Sequence, residues 1–386
     1  MNRYVISLLA LLQIMVVLFL TGCGGGGNNY SSSVSVTSGV GQKSVLYVIS
    51  AGTPTVGTFT IGMSDVLLIG STNYATGTNP QGIVTDSQHR YIYVLNNPGA
   101  GLAGGVLQYE ITNGNGALAV IQATNNPSNI QQPVYPAPTG LVPLSMAIDQ
   151  NNKFVFTANS GDNTVSTFSI GTQYGDLNAV ATSPTSVCRT PIGLVAKGNY
   201  LFVACKGTLI IPASVSAYSF DNNGALTAVG NTVNIGGNPT AIASDGHYVY
   251  IADGTANTVS VLSFDTGSGL AATSTSASVG TNPVNLYITP GNKYLYVANA
   301  GSNNVSGFAL NGSGGLSAIS GSPWNSGVTP TFITSNNGVS SLFVANSGNG
   351  TVSSLSINGS GALSPVVGSP YNALGFLSPN GLVSLQ

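Results

Sequence analysis

Tyr294-Leu295-Tyr296-Val297-Ala298-Asn299, then Gly301-Ser302-Asn303-Asn304, then Val305-Ser306-Gly307-Phe308-Ala309-Leu310, is the stretch that decides the fold. Aromatic and β-branched residues suit a pleated, buried strand, and the small polar residues between the two runs suit a turn. Upstream, Pro283 leads into Val284-Asn285-Leu286-Tyr287-Ile288, with Thr289-Pro290-Gly291-Asn292 as the connecting turn. Downstream, Asn311-Gly312-Ser313-Gly314 makes a hairpin into Gly315-Leu316-Ser317-Ala318-Ile319. The spacing predicts four antiparallel strands, A to D, joined by short turns.

The second strand of this unit recurs seven times, opening on Tyr47, Tyr93, Phe156, Phe202, Tyr250, Tyr296 and Phe343. Successive aromatics lie 46, 63, 46, 48, 46 and 47 residues apart. A period in the mid-forties is the length of one four-stranded propeller blade. A single blade cannot bury both its faces, so the copies must pack around an axis. The expected fold is all-β: a seven-bladed propeller over residues 45–386. Strand A is marked by its leading proline at Pro80, Pro143, Pro191, Pro239, Pro283, Pro330 and Pro379. The last of these has no strand B after it, and the strand B at Tyr47 has no Pro-led strand before it. The C-terminal strand is therefore expected to complete the first blade and remove two free edges.

Loop lengths single out one face. From the strand B aromatic to the central large residue of strand C is 12 residues in five copies, but 16 in the second and fourth. The excess lies near Gly99-Ala100-Gly101-Leu102 and Leu209-Ile210-Ile211-Pro212, and the 63-residue period adds a long D–A loop between Asn125 and Leu144. B–C and D–A loops share one face of the disc, so the additions accumulate there, where a rigid scaffold can position them.

Composition narrows the ligand. Only 8 Lys plus Arg and 10 Asp plus Glu occur in 386 residues, for a net charge of -2. Such a chain offers no electrostatic footprint for nucleic acid. No pair of histidines or calcium-loop pattern suggests a metal, and no cofactor is expected. His89 and His247 fall in A–B turns on the opposite, plain face, as do Asp149 and Asp245 at the ends of strand A, so no serine–histidine–aspartate set is available.

The candidate binding face carries Asn96, Asn159, Asn299, Asn346 and Asp253 at the ends of strand B, together with Arg189 and Tyr135. The asparagines have two readings: a polar rim for a sugar or peptide, or side chains that satisfy backbone donors in the following turn. Cys188 and Cys205 flank the A–B hairpin of the fourth blade. They either form a disulfide, which suits an exported domain, or remain two free thiols.

The N-terminus has its own grammar. Arg3, an uncharged apolar stretch from Tyr4 to Leu20 and Leu20-Thr21-Gly22-Cys23 read as a secretory signal over residues 1–22. The last four residues resemble a bacterial lipobox, which implies lipidation of Cys23. Residues 23–44 read as a Gly-, Asn- and Ser-rich tether, whose 21 residues after the cysteine reach roughly 70 Å when stretched. The expected location is the cell envelope, on the outer membrane or cell surface, as a monomer held to a membrane by its lipid.

Tyr-Val-Ala-Asn copies followed by Asn-Thr-Val-Ser, as at Asn163 to Ser166 and Asn257 to Ser260, resemble the YVTN repeat family. Gly321-Ser322-Pro323-Trp324 and Gly368-Ser369-Pro370-Tyr371 strengthen the likeness. That family is similar to the seven-bladed lactonases, which include 6-phosphogluconolactonases. The resemblance implies Arg, His and acidic residues from strand A at a central funnel. The corresponding triplets here, such as Gln81-Gly82-Ile83, Ser145-Met146-Ala147 and Asn285-Leu286-Tyr287, hold none of these. The leading expectation is therefore an interaction module that binds a protein or glycan through its looped face, not an enzyme. A lactonase-like hydrolase is the alternative, and a purely structural envelope module the second alternative.

Overall fold

The computed structural model describes residues 44–99, 102–112, 116–121, 136–373 and 378–385. The chain separates into Met1–Gly41 and Gln42–Gln386, and every described residue belongs to the second unit. The described residues are all-β apart from one short 3-10 turn, Met63–Asp65.

Seven antiparallel blades are present. Strand A runs over Pro80–Thr85, Pro143–Ile148, Pro191–Lys197, Pro239–Ser244, Pro283–Ile288 and Pro330–Ser335 in blades two to seven. Strand B runs over Val45–Ser50, Tyr91–Asn96, Phe154–Asn159, Tyr200–Cys205, Tyr248–Asp253, Tyr294–Asn299 and Ser341–Asn346. In the first blade the strand A position is taken by Pro379–Leu385, which pairs with Val45–Ser50 in the register Val45 to Leu385 and Tyr47 to Val383. Ser378 N donates to Ser50 Oγ at 3.2 Å, and Ala51 N donates to the Ser378 carbonyl at 3.0 Å.

Most strand B residues are buried on both sides, because each blade is covered by a neighbour on either face. The apolar core accordingly consists of seven clusters, one at each interface between adjacent blades. The seam between blades seven and one is packed like the rest: Phe343, Ala345 and Val352 meet Leu46, Val48, Phe59 and Leu382. A polar clasp adds to it. Asp65, from the 3-10 turn of blade one, accepts from Asn336 Nδ2 at 3.2 Å and from the Ser341 hydroxyl, both in blade seven.

Strand D departs from the single run that the sequence suggests. In blades two, three, six and seven it comes in two pieces on the same strand C, as Leu316–Ala318 and Trp324–Asn325 show in blade six. Thr182-Ser183-Pro184 in blade three and Gly-Ser-Pro in blades six and seven bulge out between the pieces, and the serine hydroxyl takes the strand C amide left without a partner. Ser183 Oγ accepts from Thr167 N, Ser322 Oγ from Gly307 N and Ser369 Oγ from Ser354 N, at 2.9 to 3.0 Å.

Candidate functional site: an axial cavity with a neutral lining

Every strand A carries a β-bulge at its second residue. Pro143 pairs with Asn159 and Ser145 with Ala158, which leaves Leu144 outside the ladder. The same skip leaves out Gln81, Ile192, Thr240, Val284, Thr331 and Asn380. The proline before each has no N–H to give, so regular pairing cannot begin there. A bulge re-aims side chains. Here it turns the second residue of each strand, with the third in blades two to seven, toward the propeller axis, where they line a cavity of about 300 Å³.

The lining is polar but neutral. Gln81, Ser145, Thr240, Asn285, Thr331 and Asn380 alternate with Leu144, Met146, Ile192, Val284 and Phe332, and no described lining residue is Asp, Glu, His, Lys, Arg, Tyr or Cys. Several of the polar groups also lock neighbouring blades together. Thr240 Oγ1 donates to the Pro283 carbonyl at 2.6 Å and Thr331 Oγ1 to the Pro379 carbonyl at 2.9 Å. Asn380 Nδ2 donates to the Pro80 carbonyl at 2.7 Å, while Ser145 Oγ accepts from Leu194 N and Asn285 Oδ1 from Ile333 N, each at 3.1 Å. Asn380 Oδ1 is buried with no protein partner. Sequence reasoning missed most of the second-residue set because it took strand A from the third residue on. The signal that could have found them was the leading proline, which displaces the register by one.

The ring of strand B asparagines is not a ligand-facing rim. Asn159, Asn299 and Asn346 are fully buried and spend their amides within the blade. Asn159 Nδ2 donates to Thr164 Oγ1 at 3.0 Å and Ser166 Oγ at 2.9 Å; Asn346 Nδ2 does the same to Thr351 Oγ1 and Ser353 Oγ at 3.1 and 2.9 Å. Asn299 reaches Asn304 Oδ1 and Ser306 Oγ at 2.8 and 2.9 Å. Asn96 is buried and donates to the Val94 carbonyl, and Asp253 accepts from the amides of Asn238, Thr255 and Ala256. Asp253 thus takes backbone donors of the following turn, whereas the asparagines are held by strand C side chains or, at Asn96, by a strand B carbonyl. Tyr135 and Cys23 lie outside the described residues, as do Ala100, Gly101 and most of the long D–A loop.

Cys188 and Cys205 are joined, with Cα atoms 5.8 Å apart. The bond fixes the base of the blade-four B–C loop beside the exposed Arg189. Closing a loop of this length contributes about 3 kcal/mol, chiefly by restricting the unfolded chain. Reduction is expected to lower the unfolding free energy by that amount, read as a lower urea midpoint at an unchanged slope, and alkylation without reductant should leave both residues unlabelled.

The histidines stand on the plain face. His247 N donates to Asp245 Oδ1 at 2.9 Å in a turn capped by that carboxylate, as Asp149 and Asp86 cap theirs. Asp86 was not singled out from sequence, although it holds the Arg90 guanidinium at 3.2 Å. His89 Nε2 faces Asn337 Nδ2 at 3.2 Å, and its Nδ1 is buried without a partner. Burial lowers the His89 pKa below 6.5, a pull that the Asp86 carboxylate only partly opposes. The unfolded chain therefore takes up this proton first, and stability falls as pH drops through about 6.5. Urea unfolding at pH 8 and pH 5 should show a smaller acid loss for His89→Gln than for the parent.

Among the described residues no three His, Cys, Asp or Glu side chains cluster to hold a metal. With this geometry in view, the sequence matches the family described as lactonase, 7-bladed beta-propeller, over residues 49–183 and 240–322. The chain belongs to that family. The periplasmic gluconolactonase of Pseudomonas aeruginosa is 17% identical with a TM-score of 0.69, over 89% of this chain and 99% of its own. A provisionally assigned 6-phosphogluconolactonase from Bacteroides uniformis is 17% identical with a TM-score of 0.72, over 89% and 100%. Another, from Bacteroides fragilis, is 16% identical with a TM-score of 0.69, over 93% and 100%. At such identities these likenesses establish the shared fold alone. No curated protein matches the sequence. This lactonase-family propeller has its cavity at the axis, and family membership favours lactone chemistry over the looped-face interaction module expected from loop lengths.

Proposed function

We propose that the chain acts on a small uncharged lactone, of the size of a sugar acid, held in the axial cavity. The observation that carries this reading is the neutral lining: a 300 Å³ site at the axis of a lactonase-family propeller, without one charged side chain among its described walls. A volume near the lower end of ligand pockets suits a single ring. Phe332 offers an apolar face to the ring, and the Gln81 amide and Ser145 hydroxyl can serve lactone oxygens. A phosphorylated lactone would have to shed its hydration without a cation to receive it.

Hydrolysis adds water across the ester bond and yields the hydroxy acid. The groups at hand act as hydrogen-bond donors that polarise the lactone carbonyl, since none of the described lining side chains is a base near neutral pH. That same chemistry favours a second reading, capture of a neutral lactone or sugar without turnover.

Gly82 supplies the test. A Cβ built there meets only Leu95 Cβ and Met146 Cβ at 3.8 Å and Met146 N at 4.0 Å, which is ordinary contact. Gly82→Phe should narrow the cavity beside Met146 and abolish lactone binding and turnover, with the circular dichroism spectrum and a cooperative melt showing that the propeller stays folded. Retained turnover in a folded Gly82→Phe protein would remove the cavity from the reaction, and binding without turnover in the parent would select the second reading.

We further propose export and lipid attachment at Cys23. The support is the sequence alone: Arg3, the apolar stretch to Leu20 and Leu20-Thr21-Gly22-Cys23. Mass spectrometry of the N-terminal peptide should show a diacylated cysteine, and an intact Met1 would contradict it.

A further inference from the structure

The blade-four B–C loop is an apolar fingertip, and we infer that it enters the interfacial region of an anionic lipid bilayer. Leu209 and Ile210 are 106% and 91% exposed, far more than a folded domain usually leaves such side chains, and Ile211 follows them. Three backbone amides of the loop are already bonded within it. Thr208 N donates to the Ile211 carbonyl at 2.8 Å, and Thr208 Oγ1 accepts from Ile210 N and Ile211 N at 3.4 and 3.1 Å. A tip that leaves those amides unbonded would lose them to hydrocarbon at a cost of several kcal/mol each; this one does not. The stem is braced by the Cys188–Cys205 bond and by the amides of Lys206 and Gly207 on the carbonyls of Thr190 and Arg189.

Charge chooses lipid over a protein groove. Arg189 and Lys206 stand exposed at the foot of the finger, and the sequence places no other basic residue in the B–C or D–A loops of this face. The acids nearby, Asp162 and Asp253, are half-buried and turned to backbone amides at Leu141, Asn238, Thr255 and Ala256. Exposed apolar residues with two cations behind them make the pattern of a membrane-surface element. Leu102 in the blade-two B–C loop and Val328 in the blade-seven D–A loop are also exposed on this face. Apolar points spread over three blades suit a broad surface better than a single pocket.

The test uses the full chain on vesicles of equimolar phosphatidylcholine and phosphatidylglycerol with brominated acyl chains. Ile210→Trp reports from the fingertip and Asn223→Trp from the opposite face. Quenching and a blue shift are expected for Ile210→Trp alone. Arg189→Gln or Lys206→Gln in the Ile210→Trp protein should each lower the docked-to-undocked ratio about fivefold. No quenching at Ile210→Trp, equal quenching at both reporters, or the same ratio on pure phosphatidylcholine would overturn the inference. So would a Leu209→Ser change that dissolves a dimer of the chain while leaving lipid contact unaltered.

Discussion

Removal of Pro379–Leu385 is expected to yield insoluble protein or a chain without a cooperative unfolding transition. The strand fills the axial edge of blade one, pairs along the length of Val45–Ser50 and supplies Leu382 to the seam with blade seven. Without it, blade one would expose a row of unpaired amides and carbonyls to the axis, blade seven would lose the Thr331 bond and blade two the Asn380 bond. A point change samples the same seam more gently. Leu382 is 2% exposed, and Leu382→Asp would bury a carboxyl group among Leu46, Val48 and Phe343 at a cost of about 4 kcal/mol. Circular dichroism on heating checks both. A deletion with the parental melting temperature would refute the role given to this strand.

The second large effect belongs to the aromatic that opens each repeat. Tyr296 is fully buried, and its hydroxyl donates to the Gly361 carbonyl of the next blade at 2.7 Å. Tyr47 reaches Gly116 and Tyr93 reaches Gly175 in the same way, at 2.7 and 2.8 Å. Burial pushes all three phenols well above their ordinary pKa, so they remain donors at any pH the fold survives. Each of these glycines lies in a hairpin with positive φ, and at Gly175 a Cβ would come within 2.6 Å of the Tyr91 ring. The pair is thus a clamp between consecutive blades. Tyr296→Ala should cost about 3–5 kcal/mol through the cavity it leaves, whereas Tyr296→Phe should cost only about 1 kcal/mol. Phe156, Phe202 and Phe343 hold the same repeat position without a hydroxyl, which is why packing is assigned the larger share. Urea titrations of the two variants separate the shares, and equal losses would reverse the assignment.

The fold was legible because its signals are repeated. Seven copies of one strand, spaced by a blade's length, outweigh any single misread turn, and a proline marks strand A in each. The site was less legible, for a reason that lies in one register detail. Proline at the head of strand A forces a bulge, so Thr240, Thr331 and Asn380 reach the axis although a regular ladder would start one residue later. The asparagines closing strand B were open to a ligand as well as to a turn, because sequence shows the side chain and not the Ser166 or Ser353 hydroxyl that occupies it. The disulfide could not be separated from two thiols until the Cα distance of 5.8 Å was in hand. The split of strand D at Ser-Pro in blades three, six and seven was hidden for a similar reason, since a serine hydroxyl stands in for a strand carbonyl.

The family match and the lining pull in different directions, and the cavity's charge decides between substrates. Lactonase membership points to the ester ring, while described walls without a cation point away from phosphate. Both are met by an uncharged ring. The direct measurement is calorimetric titration of the parent and Gly82→Phe proteins with gluconolactone and with its 6-phosphorylated form. The account predicts saturable binding of the uncharged lactone, loss of that binding in Gly82→Phe, and at least about tenfold weaker binding of the phosphorylated form. Equal or tighter binding of the phosphorylated lactone, or binding untouched by narrowing the cavity, would contradict it.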